Sequence, residues 1–152
     1  MMGLRGGTSG LKPGDPPLDV EQAGALAGAL YDEGYDCAEA MVRVFVQLGA
    51  VRDIDVDTLY VVASGFGNGV GGTQGDCGAL TGAILVINAV LGRRLPTTRQ
   101  RYRLTARFAQ QFLKRFGSLN CRELQRRGRE GCRERTCETA SLLAAFLNAY
   151  GD

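Results

Sequence analysis

Apolar positions recur along this chain with a helical period, and capping residues and glycines punctuate them. Asp19 caps a first helix that runs to about Tyr31. Asp36 opens a second, with Val42, Phe45 and Val46 on one stripe and a stop at Leu48–Gly49. Asp57 opens a short apolar helix over Thr58–Ala63, followed by a glycine loop from Ser64 to Gly75. Asp76 opens the most apolar helix, which ends at Gly92; a helix apolar nearly all round is expected at the centre of a bundle. Pro96-Thr97-Thr98 starts a long amphipathic helix carrying Tyr102, Phe108, Phe112 and Phe116, stopped by Gly117. A short helix follows around Cys121–Arg127, then a charged link, Arg129–Arg135. Thr136 opens the last helix, with Leu142, Leu143, Phe146 and Leu147.

No alternating apolar–polar strand and no internal repeat interrupts this pattern. The fold class expected is all-α: a compact orthogonal bundle of about six to seven helices, with a glycine-rich loop before the central one. Residues 1–17 are rich in Gly and Pro and are expected to form a disordered N-terminal tail, leaving 18–152 as a single helical domain.

Within the loop, Gly67-Asn68-Gly69-Val70-Gly71-Gly72 matches G-x-G-x-x-G literally. A dinucleotide-binding turn needs a strand before it and an acidic residue about 20 positions on. Here the preceding segment reads as helix, and beyond Asp76 no acidic residue occurs until Glu123. The glycines therefore need another account. They permit positive φ and close backbone approach. The loop either connects two packed helices tightly or wraps the sulfur of Cys77 and offers it N–H groups. Gly75 and Gly78, which flank Asp76-Cys77, are the candidate cofactor-binding glycines.

Composition narrows the chemistry. Among 152 residues there are 5 Cys and no His. Without imidazole there is no Ser-His-Asp triad, no Cys-His pair and no His-ligated zinc. The cysteines sit at 37, 77, 121, 132 and 137, and no two form C-x-x-C. Cys37 follows Asp36, Cys77 follows Asp76, Cys121 follows Asn120 and Cys137 follows Thr136. Each preceding residue is a good N-cap, so these four cysteines are expected in the first turns of four helices. There the helix dipole and free N–H groups favour a thiolate. Four thiolates are the ligand set of a Cys₄ iron–sulfur cluster or a Cys₄ zinc. Cys132, inside the charged link, is the odd one out.

The segments Tyr35–Ala40, Ala63–Gly67, Gly75–Gly82 and Phe116–Leu124 together resemble the redox-active C-GCAxxG-C-C family, and the likeness extends over about residues 20–148. The string here is Cys77-Gly78-Ala79-x-x-Gly82, where the family label writes Gly-Cys-Ala-x-x-Gly. The resemblance implies a helical protein with four characteristic cysteines, mapped onto Cys37, Cys77, Cys121 and, in the last segment, Cys137; Cys132 competes for that fourth place. It implies redox activity through an iron–sulfur centre and supplies no substrate.

The first expectation is an electron-transfer protein in which Cys37, Cys77, Cys121 and Cys137 bind an iron–sulfur cluster, most simply [2Fe–2S], and exchange electrons with a redox partner protein. One alternative is metal-free dithiol/disulfide chemistry with Cys132 or Cys137 as resolving thiol. Another is structural zinc in a helical binding module. Charge adds little: residues 93–135 hold 14 basic and 3 acidic residues, which reads as a solvated arginine face, and nucleic acid is not an expected partner. An acidic partner protein and a homodimer remain open. The N-terminus lacks the apolar stretch of a secretory signal and no run approaches the 20 or so residues of a membrane span, so a cytoplasmic location is expected.

Overall fold

The computed structural model describes residues 11–12 and 14–151. Seven α-helices occur among them: α1 (Val20–Asp32), α2 (Cys37–Gln47), α3 (Val56–Ser64), α4 (Gly78–Leu91), α5 (Thr98–Phe116), α6 (Cys121–Leu124) and α7 (Gly128–Gly151). Short 3₁₀ turns at Gly92–Arg94 and Gln125–Arg127 link α4 to α5 and α6 to α7. No strand forms among the described residues, and the all-α expectation holds.

The caps work as their sequence suggests. The Asp19 carboxylate accepts from Gln22 N–H at 3.0 Å, and Asp36 accepts from Glu39 N–H at 2.9 Å. Thr97 and Gln100 form a reciprocal capping box at the start of α5. Thr97→Ala removes that box and is expected to cost about 1 kcal/mol, read as a lowered thermal midpoint.

Helix α4 is the central helix, as its composition suggests: Ala79, Leu80, Ala83, Val86, Ile87 and Val90 are all buried. It packs on α2, α5 and α7, while α1 lies along α7. Gly82 makes the α2 crossing possible, because a Cβ there would stand 2.7 Å from the Ala38 carbonyl oxygen and 2.9 Å from the Met41 Cβ. Gly24 and Gly28 do the same between α1 and α7. Phe45, Phe108 and Phe112 fill the core.

Three helix starts differ from the sequence expectation. Helix α3 begins at Val56 rather than behind Asp57, with Asp55 flanking it. Helix α4 begins at Gly78, so that Cys77 is its N-cap and Asp76 is drawn into a β-bridge with Asn120. The largest difference is α7. It starts at Gly128, absorbs the charged link and places Cys137 at its tenth position instead of its first turn. Arg and Glu are good helix formers, so a charged stretch propagates a helix readily once its neighbours supply a packed face. The expected start at Thr136 is therefore corrected: the Thr136 hydroxyl donates back to the Cys132 carbonyl at 2.9 Å, as a helix-interior threonine does.

Residues 1–10 and 13 of the expected tail lie outside the described residues. Of the rest, Leu11 is buried and Asp15 pairs with Arg52 at 3.2 Å. No helix among the described residues is long and apolar enough to cross a membrane.

Candidate cysteine centre

Two helix starts are fastened side by side. Cys77 N–H donates to the Leu119 carbonyl at 2.8 Å, and Cys121 N–H donates to the Gly75 carbonyl at 2.7 Å. These reciprocal bonds flank the antiparallel Asp76–Asn120 bridge. Cys77 at the head of α4 and Cys121 at the head of α6 are thereby fixed as neighbours although 44 residues separate them. The Asn120 side chain also caps α6 through Arg122 N–H at 2.9 Å.

The glycine loop closes over this pair. Gly69, with φ +73°, passes so near α6 that a Cβ would lie 2.7 Å from the Cys121 Cβ. Asn68 and Val70 also take positive φ, which a β-branched valine rarely does, so the loop is held under strain by its surroundings. The Asn68 N–H donates to the Cys37 sulfur. The loop thus offers an N–H to a thiol, as the sequence suggested, but the recipient is Cys37. Gly78 completes the cradle: a Cβ there would run into Cys37 Sγ. Gly75 contributes its carbonyl to the bridge. A helix, α3, precedes the loop, so the strand that a dinucleotide-binding turn requires is missing.

The fourth thiol near these three is Cys132. Its side chain hydrogen-bonds to that of Cys37. That bond raises the Cys37 pKa far above the ordinary thiol range, with burial next and the neighbouring sulfurs of Cys77 and Cys132 adding to it. Cys121 is also raised, first by burial and then by Cys77 and Cys132, while Arg135 opposes the rise. The sulfurs of Cys77 and Cys132 thus act on both Cys37 and Cys121, which ties the four into one electrostatic unit. Cys37, Cys77 and Cys121 are buried, Cys132 is partly so, and no disulfide links any of the five cysteines.

Cys137 stands elsewhere. Its sulfur packs on α1, where a Cβ on Gly28 would lie 3.0 Å from it. It opens onto a groove of about 610 Å³ between α1 and α7, beside Val20, Gly24 and Leu142. Its pKa is raised by burial and eased by Arg133, which is itself held by Asp32 through two bonds of 2.8 Å. The causes of its shift are burial, Arg133, Asp32 and Glu138 rather than the sulfurs that act on Cys37 and Cys121. The structure therefore brings Cys37, Cys77, Cys121 and Cys132 into one neighbourhood and places Cys137 apart from them, against α1.

One signal for Cys132 was present in the sequence. The buried stripe of α7 runs through Thr136, Thr139, Ala140, Leu143 and Leu147. One turn back from Thr136 along that stripe is Cys132, whereas Cys137 sits beside it. The surrounding Arg and Glu residues mask that periodicity, because they suit an exposed link equally well.

Among the described residues, no group of three or more His, Cys, Asp or Glu side chains is placed to hold a metal ion as it stands. The four sulfurs are interacting neighbours rather than a closed coordination shell. Beside them lies Arg135, only 3% exposed. Its Nη1 donates to the Leu124 carbonyl at 3.4 Å, and its buried Nε has no hydrogen-bond partner. It forms no ion pair with a carboxylate among the described residues.

A family model described as "Putative redox-active protein (C_GCAxxG_C_C)" matches residues 35–146, a span that contains all five cysteines and the glycine loop. No curated protein and no solved structure matches the chain.

Proposed function

The chain belongs to the redox-active C_GCAxxG_C_C family, and from that premise we propose that Cys37, Cys77, Cys121 and Cys132 are its redox centre and hold an iron–sulfur cluster, most simply [2Fe–2S]. The observation that carries this reading is the gathering of four thiols from four helices into one electrostatic unit. The donor set suits the group: all-sulfur, soft and deprotonable, with no imidazole to compete. A single structural zinc takes three or four donors around one point. A [2Fe–2S] cluster instead takes two thiolates on each of its irons. When bound, such a cluster supplies one-electron transfer with a redox partner protein. The chain's own part is to hold the four sulfurs, to exclude water with the strained loop, and to donate the Asn68 N–H to the Cys37 sulfur. A reducing, cytoplasmic setting suits thiols kept out of disulfides.

Anaerobic purification, or reconstitution with iron and sulfide, is expected to give a coloured protein containing both iron and acid-labile sulfide. A colourless, iron-free product after reconstitution overturns the cluster.

The Cys37–Cys132 hydrogen bond favours a second reading, a dithiol/disulfide couple on these two thiols. Their oxidation forms one S–S bond and passes two electrons and two protons to an acceptor disulfide, which becomes a dithiol. A loss of two hydrogens by mass spectrometry, mapped to a Cys37–Cys132 peptide, is its signature.

A further inference from the structure

A buried guanidinium cannot shed its charge, because arginine stays protonated in proteins. Burying one without a counter-ion is costly. Arg135 is such a group: it is 3% exposed, its Nε has no partner, its one bond among the described residues is a long 3.4 Å contact with the Leu124 carbonyl, and no carboxylate among those residues neutralises it. Arg133, two residues earlier, is paired bidentately with Asp32 on the surface and so shows the ordinary arrangement. Its charge acts instead on a thiol. Leu124 ends the short helix that Cys121 begins, and the Arg135 charge reaches the Cys121 thiol. Arg135 also lies on α7 less than one turn after Cys132. Of the groups in the centre that can acquire negative charge, Cys121 is thus the one on which the Arg135 charge is seen to act.

We propose that Arg135 is the buried counter-charge of the cysteine centre, a positioning residue that compensates the negative charge its sulfurs acquire and favours the centre's reduced state. The proposal rests on the cluster reading for its clearest measurement. Reduction by one electron, supplied in the test by dithionite, makes an all-thiolate cluster one charge more negative. A fixed positive charge in a low-dielectric site stabilises that reduced form.

The test compares wild type, Arg135→Met and Arg135→Lys. In the cluster-loaded proteins, Arg135→Met is expected to weaken reduction about tenfold, a midpoint potential lower by about 59 mV for one electron. Arg135→Lys, which keeps the charge, is expected to restore most of it. In the metal-free, reduced proteins no cluster charge is present, and Arg135 has no carboxylate counter-charge among the described residues. Arg135→Met is expected there to leave the melting temperature unchanged or raise it, since replacing a buried charge with a well-packed apolar side chain is often neutral or stabilising. An unchanged potential in Arg135→Met overturns the proposal, as does a fall in the melting temperature of its metal-free form. Should wild type take up no iron, the cluster reading fails separately, and the metal-free melting temperatures decide the role of Arg135 alone.

Discussion

Cys132→Ser is expected to abolish the visible absorption and bound iron of the reconstituted protein, whereas Cys137→Ser leaves both in place. The two cysteines are five residues apart on one helix, so their separation by function rests wholly on which way each faces. Cys132 hydrogen-bonds to Cys37 and contributes to the electrostatics of Cys121. Cys137 meets α1 at Gly28 and responds to Arg133 and Asp32. Serine keeps size and polarity but offers no soft thiolate for iron. The comparison is internally controlled, since both substitutions sit in α7 and neither removes a large apolar side chain. Iron analysis and absorption spectra of the two variants check it. Loss of the centre in Cys137→Ser with retention in Cys132→Ser would reverse the assignment. If the centre is a dithiol instead, Cys132→Ser removes the two-hydrogen mass change and Cys137→Ser preserves it.

Gly78→Ala is expected to cost about 1–3 kcal/mol in the reduced, metal-free protein, and the cost is expected to shrink when Cys37 is replaced by alanine as well. The added methyl would run into Cys37 Sγ and crowd the Phe66 carbonyl, 3.1 Å away. Both neighbours are fixed. Cys37 is locked in the first turn of α2 by the Asp36 cap, and Phe66 belongs to the strained loop. In a chain of this length about 1 kcal/mol lowers the melting temperature by roughly 2–4 °C. Removing the sulfur with Cys37→Ala vacates the space that the new methyl needs, so the double variant should recover about 0.5 kcal/mol or more relative to additivity. Thermal unfolding of the four proteins of this cycle measures the coupling. Strict additivity would show that Gly78 is required by the helix start alone, not by the thiol it cradles.

Both tests bear on a site whose parts were unequally legible. Asp36, Thr97 and Asn120 announce helix starts because a cap acts within three residues, so its effect is local and readable. The mostly apolar Ala79–Leu91 stretch likewise announces a central helix. Asp76 carries the same local signal but does not cap a helix. Its backbone pairs with Asn120 instead, leaving Cys77 as the N-cap. The partner lies 44 residues away, and no local pattern indicates it. The start of α7 failed for a different reason. Arg and Glu suit an exposed link and an exposed helix face equally well, and only packing against the bundle distinguishes the two.

The sequence by itself determined the helical class, the central helix and the restriction of side-chain metal chemistry to sulfur and carboxylate, because periodicity and the absence of histidine are properties of the chain alone. Tertiary structure decided which thiols meet. Helical phase, set by where α7 begins and which of its faces packs inward, turns Cys132 toward Cys37 and Cys137 toward α1. It also decided the surroundings of Arg135, one among 18 basic residues in the sequence. Only the fold buries it beside the sulfurs, and burial is what turns an ordinary surface charge into one that requires a partner.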